Sequence, residues 1–137
     1  MPLGFSEIFF HIVWRTAAAS DGMNAPTRKI VKNFLMDFGE KYGYEPIAIS
    51  VLEDHLHILA KLLPGVAPGL LVETLKEELN QYLKKTLAMK NPPHWDDGYG
   101  IVSVSRAHID AVAQYVHQQE KRHKTNRINS TLERVRK

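Results

Sequence analysis

Cysteine is absent from the 137 residues of this chain. That excludes disulfides and thiolate metal sites, and it agrees with a reducing interior. Long hydrophobic runs are absent as well, since none approaches the ~18 residues needed to span a bilayer. The N-terminus carries no signal-peptide pattern, so the expectation is a cytoplasmic protein with no membrane partner. Repeats, low-complexity tracts and an internal linker are also missing. What remains is one domain, large enough for a real core but short for two. Its 44% hydrophobic and 24% charged residues place it among ordinary globular proteins.

Acidic residues are scarce at one end only. In residues 118–137 seven basic side chains stand against two acidic ones, a net +5, while elsewhere eleven stand against thirteen, a net −2. A basic end on a near-neutral body suits a phosphate backbone, whose attraction depends on local charge. Charge alone fits a solubilising tail equally well.

Phe5 to Trp14, aromatic and β-branched, predicts a first, largely buried strand. A loop rich in turn formers covers Ala17 to Ala25. Pro26 suits the first turn of a helix with Ile30, Val31, Phe34, Leu35 and Phe38 at helical spacing, running to about Tyr42 where Gly43 stops it. Ile47, Ile49 and Val51 form a second strand after Pro46. A tight connection through Leu52, Glu53 and Asp54 leads into a third strand that ends near Leu63, so the two should make an antiparallel hairpin. From Pro68 to about Met89 a longer helix buries Leu71, Leu75, Leu79, Tyr82 and Leu83, with Glu73, Lys76, Glu77, Lys84 and Lys85 toward water. After a loop over His94 to Gly100, Ile101, Val102 and Val104 make a fourth strand, and Ser105 caps a last helix whose stripe is Ile109, Val112, Ala113 and Val116. The order βαββαβα predicts an α+β fold: a ferredoxin-like split βαβ with an antiparallel sheet, helices on one face, and an extra C-terminal helix.

Two stretches carry candidate chemistry. In Glu53-Asp54-His55-Leu56-His57-Ile58-Leu59 the strand alternation sends His55 and His57 to one face and Leu56 and Ile58 to the core. Two imidazoles on one rigid face form half of a divalent-metal site; the bland alternative is two partly exposed histidines. On the last helix Tyr115 lies roughly 110° from the centre of the apolar stripe, which predicts a flank rather than a core position. Gln119 and His108 share that flank. A tyrosine and a glutamine one turn apart offer a nucleophile and an oxygen ligand, or else a boundary tyrosine whose ring packs. His11 could sit near the metal on an adjacent strand, but packing in the core or behind the metal ligands is the preferred reading.

These pieces together resemble the single-tyrosine HUH transposases of the insertion-sequence-200-like type, especially their REP-associated branch. The resemblance rests on Phe10 to Thr16, on Asp54 to Leu59, on Trp95-Asp96-Asp97-Gly98-Tyr99-Gly100 running into Ser103 to Ser105, and on Tyr115-Val116-His117-Gln118-Gln119. Three places depart from the family pattern. Gln118 stands where asparagine is usual, Arg122-His123 where a histidine pair often follows, and Lys76-Glu77-Glu78-Leu79 where small hydroxyl residues are common.

The resemblance implies a transposase domain over residues 1–124 with a basic tail over 125–137. It implies Mg²⁺ or Mn²⁺ held by His55, His57 and Gln119, and Tyr115 as the nucleophile that forms a 5′-phosphotyrosine on single-stranded or hairpin DNA. It also implies a homodimer in which each tyrosine helix completes its own or its partner's histidine pair. Lys121, Arg122, Lys124 and Arg127 are candidates for phosphate contact, and Trp95 and Tyr99 for stacking on bases or for packing of their loop. The rival reading is a domesticated, non-catalytic module that holds single-stranded or hairpin nucleic acid.

Overall fold

The computed structural model describes residues 4–18, 22–119 and 129–135. Its elements are β1 (Ile8–Arg15), α1 (Ala25–Asp37), a one-turn α2 (Gly39–Tyr42), β2 (Tyr44–Val51), β3 (His55–Leu62), α3 (Pro68–Thr86), β4 (Gly100–Val104), a 3₁₀ turn (Arg106–His108) and α4 (Ile109–His117). The strands form one sheet in the order β2-β3-β1-β4, every neighbouring pair antiparallel. This is the α+β split βαβ arrangement expected from the sequence, with the C-terminal helix in place. No described helix is long and apolar enough to cross a membrane.

Strand alternation divides the sheet into two faces. Ile12, Trp14, Ile49, Leu56, Ile58, Ala60 and Leu62 join Val31, Phe34 and Leu35 of α1 and Leu71, Val72, Leu75, Leu79 and Leu83 of α3 in the main core. Each fully buried Leu, Ile or Phe there contributes roughly 1.5–3 kcal/mol. The opposite face holds a smaller cluster of Ala48, Leu59, Val104 and Val116, flanked by Ile109, Val112 and Ala113 of α4. Helices on one face therefore describes α1 and α3, whereas α4 covers the other. Beside that smaller cluster the buried surface turns from aliphatic to imidazole.

Several local expectations are corrected. The first strand starts at Ile8, and Phe5 stands 85% exposed outside it. The helix expected to reach Tyr42 breaks at Phe38, and the Gly39 that follows is pressed against the Tyr44 carbonyl and Pro46, leaving no room for a Cβ. One further turn then closes on Gly43, whose φ of 97° favours glycine. Pro46 lies inside β2, which it can do because β2 is an edge strand with a bulge between Pro46 and Ala48. The third helix ends at Thr86, short of Met89. Ser105 caps the 3₁₀ turn, its Oγ 2.6 Å from His108 Nδ1, and α4 begins only at Ile109. Lys76 does not face water: it is buried, and its ammonium donates to the carbonyls of Asp96 (2.8 Å) and Gly98 (3.3 Å), tying α3 to the loop before β4.

Candidate active site

The histidine pair sits as the alternation requires. His55 and His57 lie on the α4 face of β3, both buried, with Leu56 and Ile58 turned into the main core. β1 runs antiparallel beside β3 and pairs Arg15 with His55 and Val13 with His57, which sets His11 diagonally next to His57 on the same face. Their rings are 5.0 Å apart, with His11 Nε2 2.9 Å from His57 Nδ1. His55 Nδ1 lies 2.7 Å from Asp54 Oδ1. Each imidazole is thus held at Nδ1 and presents Nε2 to a common point.

Glu133 occupies that point. Its Oε2 is 3.0 Å from His57 Nε2 and its Oε1 is 3.4 Å from His55 Nε2, with the Arg15 guanidinium 3.9 Å away. Tyr115 lies beside it. Its ring centroid is 6.1 Å from that of His57, its hydroxyl donates to Glu133 Oε2 at 3.1 Å, and it accepts from the Asn129 N–H at 2.8 Å. The expectation that Tyr115 avoids the core is corrected, for the side chain is only 4% exposed. The helical angle is as expected, but the flank that carries Tyr115 is covered by residues 129–133, which helical periodicity alone cannot foresee. Gln119 is fully buried one turn later, its Nε2 donating to the Tyr115 carbonyl at 2.8 Å.

The electrostatics follow from this enclosure. Burial opposes charge on Glu133, but hydrogen bonds from His55 and His57 and the charge of those rings outweigh it and hold the carboxyl well below the ordinary range. Burial lowers His11 to about 3, reinforced by His57 and partly opposed by Glu133, so its ring is neutral. For Asp54, burial is likewise outweighed by the His55 bond, with His55 and Arg15 charge adding to it, and the carboxyl is lowered. Burial raises the Tyr115 phenol; bonds from Asn129 and Gln119 work against this, and Glu133 works with it.

His55, His57 and Glu133 offer two imidazole nitrogens and a carboxylate oxygen, all within 4.8 Å of one another. An octahedral ion with bonds of about 2.1 Å sets adjacent ligands about 3 Å apart, close to the two separations at Glu133. The donor set therefore fits a hard or borderline divalent cation with positions left open for phosphate oxygens. Sequence reading missed Glu133, and the one available signal was modest: it is the sole acid in the basic stretch from 121 to 137.

The remaining candidates are more dispersed. Trp95 packs edge-on against Trp14 at 6.0 Å and donates its Nε1 to the Lys76 carbonyl. Tyr99 is 37% exposed, with the Lys76 ammonium 5.8 Å from its ring centroid. Lys121, Arg122, Lys124 and Arg127 lie outside the described residues, as does the expected boundary at 124. A groove of about 470 Å³, lined by Arg15, Thr16, Gly22, Glu53 and Asp54 among others, lies beside the histidine strand.

The chain is similar in fold to a Deinococcus radiodurans R1 protein assigned as a transposase: TM-score 0.66, 21% identity, with 87% of this chain and 95% of that one covered. It is similar as well to the REP-associated tyrosine transposase bound to a REP hairpin: TM-score 0.62, 13% identity, with 90% of this chain and 74% of that one covered. No curated protein matches it in sequence. Residues 5–119, which take in the whole sheet, the histidine strand and the tyrosine helix, match the family described as IS200-like transposases; the chain belongs to that family.

Proposed function

We propose that this transposase cuts and rejoins single-stranded, hairpin-bearing DNA ends through a 5′-phosphotyrosine on Tyr115, with a divalent metal held by His55, His57 and Gln119. The observation that carries the reading is the Tyr115 hydroxyl, 3.1 Å from a carboxylate that itself contacts both histidine Nε2 atoms within one chain. Glu133 adds a carboxylate to the ligand set, and Gln119, buried beside the tyrosine, would contribute its amide oxygen. A bound Mg²⁺ or Mn²⁺ would supply Lewis-acid polarisation of the scissile phosphate and neutralise developing charge.

The chain's own residues do the rest. Tyr115 Oη forms a bond to phosphorus as the P–O3′ bond breaks, and the leaving 3′-oxygen takes up a proton. A phenol ordinarily holds its proton up to a pH of about 10, and Glu133 Oε2 already accepts that proton's hydrogen bond. Arg15, whose guanidinium lies 3.9 Å from Glu133, would meet a phosphate oxygen. Attack by a 3′-hydroxyl on the phosphotyrosine reverses the step, so the bond energy is kept and strand transfer needs no nucleotide hydrolysis. The hairpin seen with the REP-associated relative is the substrate class this reading adopts. Lys121, Arg122, Lys124 and Arg127 would follow the backbone. A homodimer pairing through a free sheet edge completes the proposal. β4 suits that role better than β2, whose ladder is broken at Pro46.

The test is a covalent adduct. Full-length protein, Mn²⁺ and labelled single-stranded DNA from the flanks of its gene should give a band that survives denaturant and disappears with Tyr115→Phe. Tight DNA binding without any adduct, across several metals and flanks, would instead make the chain a nucleic-acid-binding module.

A further inference from the structure

The two histidines at the centre of the site are not supported alike. His55 leans on a carboxylate, Asp54 Oδ1 at 2.7 Å, whose side chain is largely exposed. His57 leans on an imidazole, and that ring belongs to a different strand. The β1/β3 register pairs His11 with Leu59 and Val13 with His57, so His11 reaches His57 across the diagonal of one sheet face. His11 is 1% exposed and His57 is not exposed at all. The 2.9 Å bond between His11 Nε2 and His57 Nδ1 is the hydrogen bond the described structure gives the His11 ring, and its Nδ1 meets no partner among the described residues.

Burying an imidazole in an aliphatic setting costs free energy that a valine or phenylalanine would not incur. The smaller core cluster on the same face, Ala48, Leu59, Val104 and Val116, is aliphatic and offers the ring no polar partner. The polar function of His11 is therefore directed at His57. For His57 Nε2 to bind a metal, the ring proton must sit on Nδ1, and a group with a free lone pair must receive it there. His11 Nε2 is placed to do so.

From this geometry we infer that His11 is a positioning residue for the metal site, fixing the ring orientation and the metal-binding tautomer of His57. The inference rests on the proposed metal reading. It concerns the second imidazole only, because His55 has its own support in Asp54. It also separates His11 from the catalytic group, since His11 touches neither Tyr115 nor Glu133 in any described hydrogen bond.

The experiment uses the full chain stripped of metal and titrated with Mn²⁺ alone, free Mn²⁺ being read by electron paramagnetic resonance. His11→Leu should weaken Mn²⁺ binding about 10- to 100-fold, the usual effect of losing a ligand's supporting partner. His11→Gln, whose amide oxygen falls near the place of Nε2, should restore most of it. Thermal melting of the metal-free variants checks folding, and His11→Phe replaces His11→Leu if the latter does not fold. Equal Mn²⁺ affinity in wild type and the apolar variant would overturn the inference and leave the metal reading intact. Equal loss in the Leu and Gln variants would also overturn it, because only the shape of histidine would then matter. A wild type that binds no Mn²⁺ would overturn the metal reading and this inference together, an outcome distinct from the other two.

Discussion

Tyr115, the proposed nucleophile, also carries some of the stability in its hydroxyl. That group bridges the Asn129 amide and the Glu133 carboxylate in a buried setting. Tyr115→Phe therefore leaves the buried Glu133 carboxylate and the part-buried Asn129 amide each short of a partner, a loss of about 1–3 kcal/mol. A surface tyrosine would cost much less. Adduct formation should vanish and single-stranded DNA binding should persist, while the urea midpoint of the metal-free protein falls measurably. An unchanged midpoint would place the hydroxyl in solvent rather than against Glu133.

Among the elements, the short segment 129–135 changes the site most. It delivers Glu133 to the histidines and passes so close to Gly100 that a Cβ there would meet the Arg134 carbonyl and Val13. Gly100 is thus required by the close approach of a neighbouring backbone, on a strand where its lack of a side chain would otherwise only weaken pairing. Gly100→Ala should push the segment off the sheet at a cost of about 1–3 kcal/mol. The readout is local: the Asn129 amide, now bonded to Tyr115, should exchange with solvent faster, whereas core amides of β3 should not. If Asn129 keeps its protection, the segment does not depend on the missing side chain.

For the whole molecule, the site makes the metal-free protein acid-sensitive. The lowered value of His11, about 3 in the fold, means that the unfolded chain binds more protons from pH 6.5 down to 3. Stability is full above about pH 6.5 and declines as the pH falls through that window. Glu133 and Asp54, both lowered, add stability that is present above the ordinary carboxylate range and lost as the pH drops through their folded values. All three act in one direction, and between pH 7 and pH 4 it is His11 that carries the change, so in chelator the urea midpoint should fall across that range, by a few kcal/mol in unfolding free energy. A midpoint that stays flat over that range would mean that His11 is not enclosed. Assembly is tested separately by size-exclusion chromatography with light scattering. A homodimer is expected at micromolar concentration, and a mass of only 15.6 kDa would count against edge pairing.

Periodicity alone determined which residues face which layer. His-Leu-His-Ile in a strand sends imidazoles one way and aliphatics the other, and the apolar stripes of α1, α3 and α4 follow from their spacing. Element order was enough to imply the split βαβ sheet, and the quoted motifs were enough to point to the family. Tertiary structure decided what periodicity does not encode: which elements cover a flank, and which residues distant in sequence converge. Tyr115 is off its helix's stripe and yet buried, because residues 129–133 close over it. Lys76 is buried because the loop carbonyls of Asp96 and Gly98 capture its ammonium. Glu133, in a stretch that reads as a basic tail, joins histidines more than seventy positions away. Local sequence sets the direction in which a side chain points. The chain's return path sets what it meets there, and that depends on long-range packing that no local pattern records.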